Sequence, residues 1–346
     1  MSTTRVCILH AHHDLRLETQ ALPPVGPGQV QVRVGAGGIC GSDLHYYQDG
    51  GFGVVRVREP MILGHEIAGT IEVIGEGVSG LKVGQTVAVN PSHPCGQCLY
   101  CQRGQHEQCL HMRFMGSAML MPHVQGAFRE RLVMGAAQCV PVGGASVAEA
   151  ACCEPLSVAL HAAKQAGSLA GARVLVTGCG PIGALVVLVA RFAGAAEIVV
   201  TDLVDEPLVL ARRLGATDAI NVARDAGKLD AYGVDKGVFD VAFECTGVDK
   251  AIAQAVPLIR PFGTLVQVGV GNTFNIPLNM VVSKEITLRG SFRFHAEFAL
   301  AAKLLADQRI DVRPLITHTR PLEEAVAAFE IASDRRQAMK VQLAFT

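Results

Sequence analysis

Hydrophobic and polar residues alternate with two different periods along the chain. Up to about residue 150, short runs such as Gln29-Val-Gln-Val-Arg-Val34 and Gly69-Thr-Ile-Glu-Val-Ile74 repeat every second residue and are interrupted by glycine and proline. That period places alternate side chains on opposite faces of a strand, with one face buried. We therefore expect short antiparallel strands in a β-rich, barrel-like region.

From about residue 172 the pattern changes to apolar strands that alternate with helices rich in alanine, leucine and valine. The predicted strands are 174–177, 198–201, 218–222, 239–243 and 263–269, with a helix over 181–193. Two further helices are expected over 297–307 and 322–332, followed by a strand over 339–344. Such alternation is typical of a parallel sheet covered by helices on both faces.

Composition narrows the class of protein. The chain has 346 residues, a formal net charge of -1 and 11 cysteines. This length allows two domains, each with its own core, while the charge offers no basic surface for nucleic acid and no apolar run is long enough for a membrane span. Cysteine-rich sequence without a secretory signal indicates a reducing compartment. We expect a cytoplasmic enzyme without nucleic-acid or membrane partners.

Four cysteines lie in one short segment, Cys95, Cys98, Cys101 and Cys109. Tetrahedral structural zinc is bound by four such thiolates, with no position left for a reactant. The alternatives are unliganded loop cysteines or two disulfides, which the missing secretory signal disfavours. The spacing predicts a structural zinc site, so that a catalytic zinc needs ligands elsewhere.

A second group of potential zinc ligands is dispersed along the chain. It consists of Cys40, the adjacent pair His65 and Glu66, and Glu154, which follows two cysteines far downstream. A thiolate, an imidazole and a carboxylate form a three-ligand zinc site with one position left for water or substrate. Taken singly, each residue could instead be a buried thiol, a core histidine or a surface acid.

A glycine-rich turn joins the first strand and helix of the second region: Gly178, Cys179, Gly180, Pro181, Ile182 and Gly183. The first glycine permits the turn, the second lets a pyrophosphate approach the backbone, and the third allows close helix packing. The helix amino terminus supplies N–H groups to the phosphates. Asp202 ends the next strand, where a carboxylate binds the adenosine ribose and repels a 2′-phosphate. NAD is therefore expected in preference to NADP. The alternative is that the segment is a glycine turn that binds no nucleotide and that Asp202 is a surface acid.

Together these motifs resemble the zinc-dependent medium-chain dehydrogenases over essentially the whole chain, because Gly64-His-Glu-Ile-Ala-Gly69, the cysteine segment and the glycine-rich turn follow in the family's order. The resemblance implies an α/β protein with a GroES-like β-rich catalytic domain, a Rossmann domain built on a doubly wound parallel sheet, and a homodimer or homotetramer. We expect the catalytic domain to comprise residues 1–151 and 286–346, with the zinc lobe at 95–109, and the Rossmann domain to comprise 152–285.

Within the family, the segments Cys40-Gly-Ser-Asp-Leu-His-Tyr46 and Glu154-Pro-Leu-Ser157 resemble the polyol dehydrogenase branch, which includes sorbitol, xylitol and threonine dehydrogenases. This implies two zinc ions per chain, one structural and one catalytic. The catalytic ion would be held by Cys40, His65 and either Glu66 or Glu154, and the choice between the two acids stays open.

The resemblance also assigns roles in proton transfer. Ser42 and His45 match a relay that carries the proton of the alcohol toward solvent, and Asp43 matches an acid that orients the zinc-binding histidine. Glu154 or a bound water could take the proton instead, and His45 could be a surface histidine.

Further residues are assigned to the cofactor and the substrate by the same resemblance. Those expected at the cofactor, in addition to the glycine-rich turn and Asp202, are Val268, Gly269, Val270, Phe292 and Arg293. Those expected to border the substrate are Tyr46, Arg113, Phe114 and again Arg293.

The segment 112–130 resembles L-idonate 5-dehydrogenases more closely than sorbitol enzymes. That implies hydride transfer from a secondary alcohol of a sugar acid to NAD, with NADP as the alternative cofactor. A sorbitol- or xylitol-type polyol dehydrogenase is the alternative enzyme. An aldonate brings a carboxylate, for which Arg113, Arg293 and His123 are candidate cations, since arginine binds carboxylates bidentately. Arg113 could equally form a salt bridge that braces its loop.

Two other classes of protein account for part of these motifs. A quinone reductase of the same superfamily needs no zinc and would lack both groups of ligands. A structural or regulatory zinc protein could keep the four cysteines but has no use for the glycine-rich turn. Measuring how much zinc and how much NAD the purified protein binds distinguishes a zinc-dependent dehydrogenase from these two classes.

Overall fold

The chain folds into two compact units. The computed structural model describes residues 2–271, 273 and 275–345. The first unit comprises Met1–Glu154, Phe298–Asp334 and Lys340–Thr346, and the second comprises Pro155–Glu297 and Arg335–Met339. The domain boundaries expected after residues 151 and 285 remain a prediction. The two compact units divide after Glu154 and after Glu297, so that β18 lies between the second expected boundary and the second division.

Regular elements occur throughout the described residues. The strands are β1 (Thr3–Ala11), β2 (Asp14–Ala21), β3 (Gln29–Gly38), β4 (Gly51–Phe52), β5 (Val55–Arg56), β6 (Met61–Ile62), β7 (Glu66–Ile74), β8 (Thr86–Val89), β9 (Ser92–His93), β10 (Arg113–Phe114), β11 (Arg131–Gly135), β12 (Cys139–Pro141), β13 (Arg173–Thr177), β14 (Glu197–Asp202), β15 (Asp218–Asn221), β16 (Phe239–Glu244), β17 (Ile259–Gln267), β18 (Thr287–Gly290), β19 (Ile316–Pro321) and β20 (Lys340–Ala344). The helices are α1 (Gly41–Asp49), α2 (Leu99–Gln102), α3 (Val147–Ala151), α4 (Cys153–Ala166), α5 (Pro181–Phe192), α6 (Asp205–Leu214), α7 (Asp249–Ala255), α8 (Leu278–Ser283), α9 (Glu297–Ala306) and α10 (Ala325–Ser333). None of these helices is both long enough and apolar enough to cross a membrane.

The first unit is built on a mostly antiparallel sheet, as the period-two pattern predicts. Its strands run in the order β12-β8-β7-β3-β20-β19, with β11 also paired to β3. In this register Gly38 at the end of β3 lies opposite Glu66 at the start of β7, and Gln342 of β20 lies opposite Gly38 on the other side. The end of β3, the start of β7 and the middle of β20 therefore meet at Gly38.

The second unit is a parallel sheet whose described strands run in the order β15-β14-β13-β16-β17-β18. Its core is apolar: Leu175, Val199 and Phe239 are fully buried. The strand order reverses between β13 and β16, and ligands of such sheets bind where the strand order reverses, at the carboxyl ends of the strands. The predicted fold class, a GroES-like β-rich part with a Rossmann sheet, is confirmed.

Candidate functional site

The four cysteines of the lobe lie together, with all sulfur atoms within 4.8 Å of one another: Cys95, Cys98, Cys101 and Cys109. Backbone N–H groups point at them, since those of Cys95 and His111 donate to Cys109 Sγ at 3.2 and 3.3 Å. Backbone N–H groups also lower the pKa of Cys98 to about 6, whereas burial raises the pKa of Cys101 to about 12. This all-sulfur donor set fits a closed structural zinc site.

A second group of donor atoms forms where the strands meet around Gly38. The side chains of Cys40, His65 and Glu66 place one ligand atom each within 4.8 Å of the others. Cys40 is the N-cap residue of α1, directly after β3. A Cβ atom on Gly38 would lie 2.1 Å from Glu66 Oε2, so only glycine leaves room for the carboxylate here.

Asp43 connects the helix that carries Cys40 to the strand that carries His65. It is fully buried, and its Oδ2 accepts the Cys40 N–H at 3.0 Å while its Oδ1 accepts the Gly64 N–H at 3.1 Å. The same Oδ1 lies 3.9 Å from His65 Nδ1, a buried nitrogen without a hydrogen-bond partner in the described structure. Asp43 therefore lies on the Nδ1 side of the His65 ring, where an acid that orients a metal-binding histidine is found.

Glu66 is compensated by a buried lysine. Lys340 Nζ donates to both carboxylate oxygens at 2.8 Å and to the Ile39 carbonyl at 3.2 Å. The two side chains are 3% and 2% exposed, which makes this an ion pair without solvent screening. With all three ammonium donors used, Lys340 fixes the orientation of the Glu66 carboxylate.

Glu154 is buried close to the same group but is not one of its three members. Burial raises its pKa to about 8; the His65 charge acts in the opposite direction, and Glu66 and Cys40 raise it further. Of the two preceding cysteines, Cys152 Sγ contacts the Ala148 carbonyl at 3.7 Å and is outside the group. The structure thus brings Glu66 to the other ligands and leaves Glu154 as a neighbouring carboxyl.

The glycine-rich turn has the geometry that its sequence predicts. Gly178 has φ of 83°, and a Cβ atom on Gly183 would lie 1.9 Å from the Gly178 carbonyl oxygen. A Cβ on Gly180 would meet nothing within 4 Å, so an open space faces the backbone at the start of α5. Pro181 and Ile182 form the first turn of this helix. Space at a helix amino terminus that a side chain would fill fits the pyrophosphate of a dinucleotide.

Asp202 lies beside this turn at the carboxyl end of β14. It accepts the Cys179 N–H at 2.7 Å on Oδ2 and the Leu203 and Val204 N–H groups at 2.7 and 3.0 Å on Oδ1. Arg335 also donates to Oδ2. The carboxylate is thereby held at the edge of the sheet where the ribose of a dinucleotide binds.

Comparison with known proteins identifies the family. Residues 26–144 match the alcohol dehydrogenase GroES-like domain, and residues 181–307 match the zinc-binding dehydrogenase family. An L-idonate 5-dehydrogenase (NAD(P)(+)) of Escherichia coli K12 is 42% identical over 99% of both chains. This chain belongs to the zinc-dependent medium-chain dehydrogenases. A sorbitol dehydrogenase of Gallus gallus is 38% identical over 97% of this chain and 95% of the relative. The crystal structure of L-idonate 5-dehydrogenase from Escherichia coli K-12 superposes with a TM-score of 0.95, at 41% identity and 99% coverage of both chains.

The family assignment, the enzyme class and the zinc and nicotinamide cofactors predicted from sequence are confirmed by this membership. The roles of individual residues stay predictions, and the structure shows where each one lies. In this dehydrogenase Ser42 is half-buried in the first turn of α1, next to the Cys40 N-cap. His45 is exposed, with Nδ1 3.1 Å from Asp49 Oδ2. Tyr46 is buried, and its hydroxyl accepts the Ala118 N–H at 3.2 Å.

The predicted substrate residues of the dehydrogenase's first unit are separated by strand alternation. The Phe114 ring packs on the His65 ring, with centroids 5.4 Å apart, whereas Arg113 is exposed on the same short strand. Successive side chains of a strand point to opposite faces, so the structure does not bring Arg113 to the ligand group. His123 Nε2 accepts the Arg58 N–H and its Nδ1 donates to a backbone carbonyl, so both ring nitrogens are already engaged and neither is available to a carboxylate.

The remaining cofactor candidates lie in the second unit of the dehydrogenase. Val268 and Gly269 follow β17, and their N–H groups donate to the Glu244 carbonyl at 2.8 Å each. Val270 is 76% exposed at the same carboxyl edge of the sheet. The Arg293 guanidinium stacks over the Phe292 ring, 4.9 Å from the ring centroid. The backbone of Arg293 has a positive φ of 55°.

Two residues of this dehydrogenase that contact the candidate site were not identified from the sequence. Lys340 neutralises Glu66 from β20, and Arg335 contacts Asp202 from the segment just before it. Each partner lies more than a hundred residues away along the chain, with separations of 274 and 133 residues. A lysine placed among the apolar residues of the closing strand was the one available signal, because an isolated buried charge needs a partner.

Proposed function

We propose that this dehydrogenase oxidises a secondary alcohol of L-idonate to the ketone of 5-ketogluconate and transfers the hydride to NAD or NADP. One alcohol and one oxidised nicotinamide give one ketone, one reduced nicotinamide and one proton. The observation that carries the proposal is the group of half-buried Cys40 with buried His65 and Glu66, combined with the similarity to an enzyme named for this reaction.

Cys40, His65 and Glu66 would hold the catalytic zinc ion, and the lobe cysteines the structural one. When bound, the catalytic ion supplies positive charge that lowers the pKa of a substrate hydroxyl. Asp43 holds the backbone on both sides of the group and faces the His65 ring, and Phe114 packs against that ring. These contacts fix the imidazole, while Lys340 holds the Glu66 carboxylate.

The proton of the alcohol needs an acceptor beside this group. Glu154 is buried there, and burial raises its pKa in the metal-free protein to about 8, so its carboxyl can exchange a proton near neutral pH. Ser42 is half-buried at the start of α1, where its hydroxyl can pass a proton outward. We assign Glu154 as the proton acceptor and Ser42 as the outward relay, with exposed His45 at its end.

The first test measures whether the zinc ligands and the cofactor site are separate. Cys40→Ser and His65→Ala should abolish turnover, while NADH binding measured by fluorescence titration changes less than about threefold, since the nucleotide turn lies in the other unit. Loss of NADH binding with turnover largely retained would contradict the assigned roles.

A carboxylate-bearing substrate requires a cation, and we retain Arg113 and Arg293 as the candidates. Removal of the true partner leaves an anion without its counter-charge, at a cost of about 2–5 kcal/mol in transition-state binding. The quantity to measure is kcat/KM for L-idonate divided by kcat/KM for sorbitol. One arginine variant should lower this ratio, and Arg103→Ala in the cysteine lobe is the matched control.

The second candidate function is a polyol dehydrogenase that acts on sorbitol or xylitol. The exposed position of Arg113, on the strand face opposite Phe114, favours it, as does the similarity to sorbitol dehydrogenases. Initial rates with L-idonate, gluconate, sorbitol and xylitol decide between the two. If sorbitol is the best substrate and neither Arg113→Ala nor Arg293→Ala changes the ratio, the sugar-acid proposal fails.

We further propose that the chain works in the cytoplasm as a homodimer or homotetramer. All four residues of β18 are exposed, and β18 is an edge strand of the parallel sheet in the described structure. An unpaired edge is a template for pairing with another strand, and a second copy is the proposed partner. Leu288→Asp should shift the sedimentation coefficient toward the monomer, whereas Leu300→Asp, which is equally exposed on α9, should not.

A further inference from the structure

Asp202, the acid expected to bind the adenosine ribose, already forms an ion pair with Arg335. Arg335 Nη2 donates to Asp202 Oδ2, and the arginine side chain is 48% exposed while the aspartate side chain is 2% exposed. Arg335 comes from the short segment Arg335–Met339, which folds with the second unit although it lies far beyond the Rossmann strands in sequence. The ribose end of the nucleotide site therefore contains a residue that no nucleotide-binding motif includes.

The acceptor capacity of Asp202 is fully used. A carboxylate offers about four lone-pair positions, and three are taken by the backbone N–H groups of Cys179, Leu203 and Val204. These three bonds are part of the turn and cannot be exchanged without rebuilding it. The fourth, from Arg335, is made by a half-exposed side chain and is the one a ligand can replace.

We propose that Arg335 allows the enzyme to bind NADP as well as NAD. A 2′-hydroxyl of NAD would take the place of Arg335 on Asp202 Oδ2, and the displaced guanidinium would return to solvent. A 2′-phosphate of NADP would instead bind the guanidinium, which neutralises Asp202 and can form a bidentate, charge-assisted pair with phosphate. The repulsion expected from Asp202 in the sequence is thereby cancelled, and the enzyme uses both cofactors.

The surrounding charges allow a phosphate at this place. The next acid of the same loop, Asp205, is paired with Arg224 at 2.6 Å and with Asn221 at 2.8 Å. Its negative charge is therefore compensated, and Leu203 between the two acids is apolar and 63% exposed. Asp202 and Asp205, the latter at the start of α6, are therefore each paired with an arginine in the described structure.

The inference rests on the proposed use of a nicotinamide cofactor and not on the identity of the sugar substrate. The test is isothermal titration calorimetry on the zinc-loaded protein with NAD+, NADP+, 5′-AMP and 2′,5′-ADP as ligands. Because the last two probes carry no nicotinamide, their binding reports the ribose end alone. A failure to oxidise L-idonate would leave these dissociation constants unaffected, so the two proposals fail separately.

Arg335→Ala should weaken NADP+ and 2′,5′-ADP by about tenfold or more, the loss of a charge-assisted bond to phosphate. NAD+ and 5′-AMP should bind equally well or more tightly, because Asp202 no longer has to release a cation. Arg335→Lys, which keeps the charge without the planar fork, should recover part of the NADP+ affinity. Arg336→Ala is the matched control, since it removes the same charge from the neighbouring exposed residue.

Three outcomes would overturn the proposal. Equal losses for NAD+ and NADP+ in Arg335→Ala would show that the arginine supports the turn and does not select the cofactor. Equal effects of Arg335→Ala and Arg336→Ala would show a general charge effect. An unchanged NADP+ affinity in Arg335→Ala, with wild-type melting temperature, would remove Arg335 from the phosphate site altogether.

Discussion

Replacing Lys340 by methionine tests how the zinc-site carboxylate is held. Methionine keeps most of the length and volume of the lysine stem but removes the ammonium group. Both Glu66 oxygens would lose a donor at 2.8 Å, and the Ile39 carbonyl would lose one at 3.2 Å. The variant therefore leaves a carboxylate, 2% exposed, without its counter-charge inside the protein.

The expected cost follows from burial. Removing one partner of a buried ion pair destabilises a protein by about 3–5 kcal/mol, because the remaining charge stays desolvated. The chain offers a matched control in Lys303, whose Nζ lies at the same distance, 2.8 Å, from Asp307, but with side chains 72% and 47% exposed. Breaking an exposed pair of this kind costs about 0.3–0.5 kcal/mol.

The assay is urea unfolding, followed by circular dichroism, of protein from which the catalytic zinc has been removed, because a bound ion would itself compensate Glu66. Zinc content is measured on each sample. Lys340→Met should lower the free energy of unfolding several-fold more than Lys303→Met does. The double variant Lys340→Met/Glu66→Gln should be more stable than Lys340→Met alone, since it removes the unpaired charge. Activity should also fall in Lys340→Met, because the Glu66 carboxylate loses its orientation.

The reasoning fails if Lys340→Met costs no more than Lys303→Met at equal zinc content. It also fails if adding Glu66→Gln brings no recovery, because the penalty would then come from lost packing and not from an uncompensated charge. In either case Glu66 would not depend on Lys340 for its place beside Cys40 and His65.

Three further changes test other parts of the site. Cys98→Ser should release one of two zinc ions and lower the melting temperature, since closed zinc sites couple metal binding to folding, whereas Cys139→Ser should keep both ions. Gly38→Ala should reduce zinc binding at the catalytic group, because the added Cβ would lie 2.1 Å from a ligand oxygen, and Gly41→Ala, with nothing within 4 Å, should not. In the metal-free protein, burial raises the Glu154 pKa from its ordinary value of 4.5 to about 8, so the folded state binds one more proton than the unfolded state between these pH values. The free energy of unfolding should therefore fall by about 1.4 kcal/mol per pH unit as pH rises through this range. An equal slope in Glu154→Gln would contradict this.

The features that sequence predicted well are those encoded by neighbouring residues. The turn from Gly178 to Gly183 needs glycine because a Cβ would strike backbone 1.9 Å away, and that constraint is visible in a six-residue motif. The cysteine lobe is equally local. The choice between Glu66 and Glu154 stayed open in the sequence because it depends on the register of β3 and β7, which places Glu66 opposite Gly38.

The position of Arg113 shows a different limit of sequence analysis. Its neighbour Phe114 packs on His65, so the segment is at the site as the resemblance implies. The two residues form only a two-residue strand paired with β9, too short for a period-two pattern to be recognised. Which of two adjacent side chains faces the zinc ligands is set by that pairing, and one residue of shift would exchange them.

The short stretch from Arg335 to Lys340 supplies the counter-charges of two buried acids that the sequence presented as unpaired. Arg335 pairs with Asp202, the acid proposed for the ribose site, in the second unit. Lys340 pairs with Glu66, the carboxylate of the proposed zinc site, in the first unit. Neither cation belongs to a motif, so both can change while the glycine-rich turn and the zinc ligands stay the same. Cofactor choice and the orientation of a zinc-site carboxylate can therefore differ between dehydrogenases that share every recognisable motif, and the last strand with the residues before it is where those differences should be sought.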